Sequence, residues 1–352
     1  MSDGLKNILI IKPSSLGDIV LALPALSALR RDFPDAEISW VVRPEFALLI
    51  ENHPHLSRTI LFDRRFLGKA WYHPRALFAL VVFVRKLRKA KFDAVIDLQG
   101  LFRTAVFGWL SGCKKRFGMA TAREFASLFY SDKVFHDTDS IHVVDYYLKI
   151  IRQTGSEDTS VEFVLPVDSA AEQSIKKLLS EHNVAFDKYA VFVPSSVHAD
   201  KCWPLERFVA LADKISSQYG LSIITTGTIA EKPTIERFKK LANVQIVDLA
   251  GLTNIRELVA LLSTARLVVS NDTGPGHIAA ALKRPLVMIF GRSNPARVQP
   301  YGRPNCVAAV EPEKRGTQYD STDPKHNINA VTFEQVYEKV CEQIGPAGRK
   351  NA

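Results

Sequence analysis

The chain has 352 residues, with 46 Lys and Arg against 37 Asp and Glu for a net charge of +9, and 47% of it is hydrophobic. That balance excludes disorder or coiled coil as the main architecture, and the length suggests two domains. No apolar run approaches the roughly 20 residues of a membrane-spanning helix, and Cys113, Cys202, Cys306 and Cys341 form no CxxC pair, so neither a disulfide framework nor a zinc site is indicated.

Residues 7–12 (NILIIK) are a β-branched apolar run that predicts a buried strand; the preceding residues lack the basic region of a secretory leader. Residues 18–31 follow with helical spacing, and 37–42, 59–62 and 94–97 predict further strands with helices between them. This β-α-β-α rhythm predicts a doubly wound parallel sheet with helices on both faces. The polar stretch 154–159, Pro166 and a connecting helix over 176–183 then interrupt the pattern. A second series has strands over 190–193, 221–225, 245–248, 267–270 and 286–289, with helices over 205–219, 233–242, 254–263 and 276–282. Past Arg292 the chain reads as irregular until a last helix, 332–344. The expected organisation is one α/β domain over 1–165, a second over 166–325, and a segment 326–352 whose helix packs back on the first domain.

Each half opens alike. The first strand ends in Pro13-Ser14-Ser15 and its counterpart in Pro194-Ser195-Ser196, at strand carboxyl ends, where doubly wound sheets bind ligands. In Ser14-Ser15-Leu16-Gly17-Asp18, Asp18 falls at a helix start, as a capping carboxylate or as a carboxylate aimed into a cleft between two domains. No GxGxxG or GxxxxGK[ST] follows this strand, which disfavours a dinucleotide fingerprint or a P-loop. In Asn271-Asp272-Thr273-Gly274-Pro275-Gly276-His277 a strand ends in a glycine-rich turn that opens a helix. That pattern leaves amides aimed along the positive end of the helix dipole, a phosphate seat. Pro275 suits the first turn, and His277 either reaches a phosphate or packs there. Ser195, Ser196 and Lys201 precede another Pro-initiated helix, where Lys201 either neutralises a diphosphate or is solvated. Glu231, after the turn Thr225-Thr226-Gly227-Thr228, either accepts from ribose hydroxyls or caps its own helix.

Basic residues crowd the first half. Arg64, Arg65, Lys69 and Arg75 flank Trp71 and Tyr72, and residues 76–84 are nine uninterrupted apolar residues that run into Arg85, Lys86, Arg88, Lys89 and Lys91. Such a helix either lies on a membrane surface or is buried with a solvated end. Asp137-Thr138-Asp139, between His136 and His142, has the D-x-D form of some metal sites but reads as a solvated loop.

Taken together these stretches resemble glycosyltransferase family 9, the bacterial heptosyltransferases of lipopolysaccharide synthesis, over nearly the whole chain. The carriers are Ser14-Ser15-Leu16-Gly17-Asp18, Lys201-Cys202-Trp203-Pro204 and Asp272-Thr273-Gly274-Pro275-Gly276-His277. Residues 95–101 (VIDLQGL) and 121–130 (TAREFASLFY) look most like the family's first-step members, which move heptose from ADP-heptose to Kdo-modified lipid A at the cytoplasmic face of the inner membrane. The resemblance implies the GT-B fold, two Rossmann-like domains facing across a cleft. It implies inversion at the anomeric carbon, and neither a cofactor nor a bound metal. Asp18 would be the base, with Lys201 opposing the charge on the departing ADP. Ser195, Ser196, Lys201, Glu231, Asp272, Thr273, Gly274 and His277 would hold the donor. Lys12, Ser15, Arg64, Arg65, Lys69 and Arg123 would meet the acceptor, whose carboxylates and phosphates suit basic groups. The implied location is cytoplasmic and peripheral on the anionic inner membrane, with no nucleic acid as partner. Ser195-Ser196 stands where the family often has threonines, and Gly276 where it usually has a larger residue. Other readings stay open: a second-step or protein-directed heptosyltransferase, a non-catalytic sugar-nucleotide sensor, or a nucleic-acid-binding protein suggested by charge alone.

Overall fold

The computed structural model describes residues 4–136, 140–158 and 160–345. The chain divides into two compact units, Met1–Leu165 and Pro166–Ala352. The first holds β1 (Asn7–Ile11), β2 (Glu37–Val42), β3 (Arg58–Leu61), β4 (Ala94–Asp97), β5 (Arg116–Met119) and β6 (Asp132–Val134). The second holds β7 (Tyr189–Val193), β8 (Ser222–Thr225), β9 (Ile246–Asp248), β10 (Leu267–Asn271), β11 (Leu286–Ile289) and β12 (Val307–Ala308).

The sheet orders are β3-β2-β1-β4-β5-β6 and β12-β11-β10-β7-β8-β9, with parallel pairing throughout. Counted from each unit's first strand these are the same order, that of the Rossmann fold. The winding reverses between β1 and β4 in one sheet and between β7 and β10 in the other. The central strands are buried on both sides, all of β7 and β10 included, as parallel sheets covered by helices require.

Helix boundaries follow local chemistry. Asp168 caps Ser169–Glu181 by accepting from Ala171 N at 2.8 Å. Asn254 and Glu257 exchange side-chain and backbone bonds at the start of Ile255–Thr264. Gly220, at φ 64°, ends Leu205–Tyr219 in the left-handed region.

Two features depart from the expectations. The strands β5, β6 and β12 appear where none was predicted. They are short and lie at or next to a sheet edge, where polar residues are tolerated and apolar patterning is weak. The last helix, Phe333–Ile344, belongs to the second unit, because Val336 and Val340 are buried in that unit's core with Phe208 and Ile289. Its approach is held by Trp203 Nε1, which donates to Val331 O at 2.8 Å, so the segment from 326 closes the second domain. Helix Pro74–Lys89 buries Ala76, Phe83 and Leu87 but leaves Leu77, Phe78, Val81 and Val82 exposed; it is a half-buried helix with an apolar outer face.

Candidate active site

In the first unit the chain leaves β1 beside the point where the winding reverses. Ser15 is the N-cap of helix Leu16–Asp32. Asp18 Oδ2 accepts from Ser15 N at 2.9 Å and from Ser15 Oγ at 2.6 Å, so the acid three residues on satisfies the amide of the N-cap residue. Asp18 Oδ1 faces Lys12 Nζ at 3.7 Å. Lys12 is 4% exposed, and its ammonium lies 5.5 Å from the centre of the Tyr147 ring, so protein rather than water surrounds this cation. Asp18 itself is 30% exposed. One oxygen of Asp18 thus starts the helix, and the carboxylate still reaches solvent beside a fixed positive charge.

The other basic candidates leave from the same end of the sheet. Arg64 and Arg65 lie on the turn Arg64–Leu67, which Asp63 caps by accepting from Phe66 N at 2.9 Å. Lys69 follows, and all three are exposed. Arg123, also exposed, sits after β5, where its backbone N donates to Gly100 O at 3.0 Å.

In the second unit the candidates gather where β7 and β10 end side by side. Lys201 Nζ lies 2.7 Å from Asp272 Oδ2, and His277 Nε2 lies 3.5 Å from Asp272 Oδ1. Burial alone would push the Asp272 carboxyl up, but His277 and Lys201 hold it well below the usual carboxylate range. Thr273 stands at the N-cap of helix Gly274–Ala281 with its hydroxyl on Asn271 O rather than on the helix, and the first-turn amides have no partner inside the helix. Ser195 Oγ and His277 Nδ1 are buried and find no hydrogen-bond partner among the described residues, a costly state unless a ligand completes them. Ser196 Oγ accepts from His198 N at 3.3 Å. At Gly276 a Cβ would come within 3.1 Å of Met288 Cε and Ser270 Oγ, so the space for a larger residue there is already filled.

Glu231 sits at the end of β8. Its Oε2 accepts from Thr228 N at 2.7 Å and Thr228 Oγ1 at 2.9 Å, which spends one oxygen on its own turn. Asp137-Thr138-Asp139 lies outside the described residues. Its neighbour His142 caps helix Val143–Arg152, its Nδ1 accepting from Val144 N at 3.2 Å. Among the described residues no three His, Cys, Asp or Glu side chains converge on one point, and no described helix is long and apolar enough to cross a membrane.

Each unit thus carries polar groups at its strand carboxyl ends: an acid beside a buried ammonium in the first, and an ammonium and a histidine against a buried carboxylate in the second. Against known proteins, the profile of Glycosyltransferase family 9 (heptosyltransferase) matches residues 80–328. The chain belongs to glycosyltransferase family 9. Lipopolysaccharide heptosyltransferase 1 of Salmonella typhimurium is 31% identical over 321 residues, 90% of this chain and 98% of that protein. The E. coli heptosyltransferase WaaC, solved with ADP-2-deoxy-2-fluoro heptose, is 27% identical with a TM-score of 0.74, covering 96% of this chain and 99% of that one. The family 9 structure from Veillonella parvula has a TM-score of 0.82 at 22% identity, covering 98% of each chain, and shows the fold: two Rossmann-like units of the GT-B class.

Two braces in this family 9 glycosyltransferase escaped sequence reasoning. Tyr130 donates to Asp97 Oδ2 at 2.8 Å, while Gln99 N and Gly100 N donate to Asp97 Oδ1 at 2.9 and 3.2 Å. Burial pushes the Asp97 carboxyl up, and these bonds, with one from Thr104, oppose it. Gly118 makes room for the Tyr130 ring, since a Cβ there would stand 2.4 Å from Tyr130 Cε2. In the second unit Asn271 Oδ1 accepts from Trp203 N at 3.0 Å, and its Nδ2 donates to Pro194 O at 3.0 Å, tying the end of β10 to the turn after β7. The only earlier signal was that 95–101 and 121–130 were among the segments carrying the resemblance and that Asn271 directly precedes one of them.

Proposed function

We propose that this glycosyltransferase is an inverting heptosyltransferase of lipopolysaccharide inner-core synthesis, moving heptose from ADP-heptose to Kdo-modified lipid A at the cytoplasmic face of the inner membrane. The observation that carries the proposal is the Lys201–Asp272–His277 cluster at the start of helix Gly274–Ala281. It orients the Lys201 ammonium at the helix start, where a diphosphate leaving group needs positive charge. The names of the relatives support the sugar and the lipopolysaccharide acceptor.

The donor's diphosphate is read against the amides of Thr273 and Gly274, with the Ser195 and Ser196 hydroxyls, His277 and Lys201 as its other donors. Glu231 has its second oxygen for the ribose. Lys12, Ser15, Arg64, Arg65, Lys69 and Arg123 are assigned to the acceptor, whose carboxylates and phosphates suit ammonium and guanidinium groups. The acceptor oxygen attacks the anomeric carbon from the face opposite the diphosphate. The new C–O bond forms as the bond to the diphosphate oxygen breaks with its electron pair, and the acceptor's proton passes to Asp18. Lys201 and the helix start oppose the charge that builds on ADP, so the reaction runs without a divalent ion.

Incubation with ADP-heptose and Kdo-lipid A in the presence of a chelator, followed by mass spectrometry of the lipid, tests this. Addition of a single heptose, with inverted anomeric configuration by NMR, is the expected result. An unaltered lipid, or transfer that returns only with added magnesium, contradicts it.

A further inference from the structure

We infer that the outward face of helix Pro74–Lys89, with the turn before it, docks on an anionic lipid bilayer. The inference rests on the proposed membrane-borne acceptor for its purpose, and it names the surface that would meet the membrane.

The charge of the chain is concentrated here. Residues 64–92 hold nine of the 46 Lys and Arg and none of the 37 Asp and Glu, so the rest of the chain, with 37 of each sign, is neutral. The helix turns Ala76, Phe83 and Leu87 inward, the last two onto a core that includes Ile60 and Phe107. On the opposite side Phe78, Val82, Arg85 and Lys89 form one stripe at helical spacing, all exposed, with Phe78 at 68%. Beside it Val81 is exposed as well. Trp71, 86% exposed, stands in the turn before the helix with Tyr72 packed edge-on against it, ring centres 4.6 Å apart.

The surface is thus apolar over its first half and basic over its second, with aromatic rings at its entrance. At 16 residues the helix is about 24 Å long, and one side is committed to the protein core, so it lies on a bilayer rather than through it. A second copy of this chain is a poor occupant, because like charges would face each other with no acid between them. Nucleic acid would satisfy the cations but offers nothing to Phe78, Val81 and Val82. A bilayer with anionic head groups meets both halves: acyl chains take the apolar stripe and phosphates take the cations.

Co-sedimentation of the full chain with vesicles of phosphatidylethanolamine and phosphatidylglycerol, against vesicles of phosphatidylcholine alone, tests the inference. Binding to the anionic vesicles only is expected. Arg85→Gln with Lys89→Gln should weaken partitioning roughly fivefold per charge removed. Phe78→Ser with Val82→Ser should weaken it about tenfold or more. Both double variants should transfer heptose to a deacylated, water-soluble acceptor at the unaltered rate. As a measurement that needs no multiple variant, acyl-brominated phospholipid should quench tryptophan fluorescence, and Trp71→Phe should abolish that quenching. Failure of the unaltered protein to bind anionic vesicles, variants that bind like it, or absence of Trp71-dependent quenching overturns the inference. Transfer without vesicle binding sinks the docking surface and leaves the proposed reaction standing; vesicle binding without transfer does the reverse.

Discussion

Lys201 Nζ lies 2.7 Å from Asp272 Oδ2, so the ammonium at the start of helix Gly274–Ala281 is aligned by an acid before any donor arrives. Asp272 is buried and held ionised by Lys201 and His277. The pair fixes one long, flexible side chain at the place where a diphosphate is proposed to bind, which lowers the ordering cost of binding.

Removing that ammonium should weaken donor binding directly. Lys201→Ala is expected to reduce ADP affinity by roughly 10- to 100-fold, the worth of a hydrogen bond to a charged group, as read by isothermal titration calorimetry. Asp272→Asn keeps the ammonium but loosens it, and a smaller loss is expected. Equal ADP affinity in Lys201→Ala and the unaltered protein would remove Lys201 from the donor site.

Asp18 separates into two measurable roles. Asp18→Asn should lower turnover by about 10²- to 10⁴-fold, as expected for loss of a general base, with ADP affinity unchanged. Its effect on stability should be about 1 kcal/mol from the helix cap, with a further loss because the buried Lys12 ammonium loses its anionic partner. Ser15→Ala removes one of the hydroxyl and amide donors to Asp18 and keeps the acid, so turnover should fall far less. Urea unfolding and steady-state kinetics on the same samples distinguish a base from a cap; near-normal turnover in Asp18→Asn assigns Asp18 to the cap alone.

The Asp97–Tyr130 bond braces the turn that carries Arg123. Tyr130→Phe strips a donor from a buried carboxylate and should cost roughly 1.5–3 kcal/mol of stability. Its kinetic effect should appear in KM for the acceptor, with KM for ADP-heptose little changed. An unchanged acceptor KM would confine the brace to folding.

His53 makes a pH-dependent contribution. Burial pushes its pKa down to about 4 from an ordinary 6.5. Its Nδ1 accepts from His55 N at 3.1 Å, which leaves Nε2 to donate to Val164 O at 2.8 Å, so the neutral ring satisfies both. Between those two pH values the unfolded chain binds the proton more readily, and the native state loses stability as pH falls from about 6.5 toward 4. The loss should be at most about 3 kcal/mol. Urea unfolding at intervals across that window should show the decline, and His53→Gln should flatten it; an unchanged slope in His53→Gln would place the dependence elsewhere.

How much of this was legible beforehand depended on whether a signal was local. β1 is a run of β-branched residues, and both Pro-Ser-Ser turns sit at strand ends, so the twin parallel sheets and the positions of Asp18, Ser195 and Asp272 could be read from neighbouring residues. Helix 205–219 was legible to the residue because Pro204 starts it and Gly220 stops it. β5 and β6 (RFGM and DKV) carry no apolar pattern; they are strands because neighbouring strands hold them. The Asp97–Tyr130 bond spans 33 residues, and Trp203 meets Val331 across 128, distances at which local pattern is silent. The run 76–84 looked uniformly apolar, and only packing shows which side of that helix the core uses.

In the proposed reaction a diphosphate is held by first-turn amides and Lys201 rather than through a divalent ion. A crystal structure of this chain grown with a non-transferable ADP-heptose analogue and magnesium tests it most directly. The diphosphate is expected within hydrogen-bond distance of the Thr273 and Gly274 amides and of Lys201 Nζ. A diphosphate bound away from residues 273–276, or joined to the protein through magnesium, would contradict it.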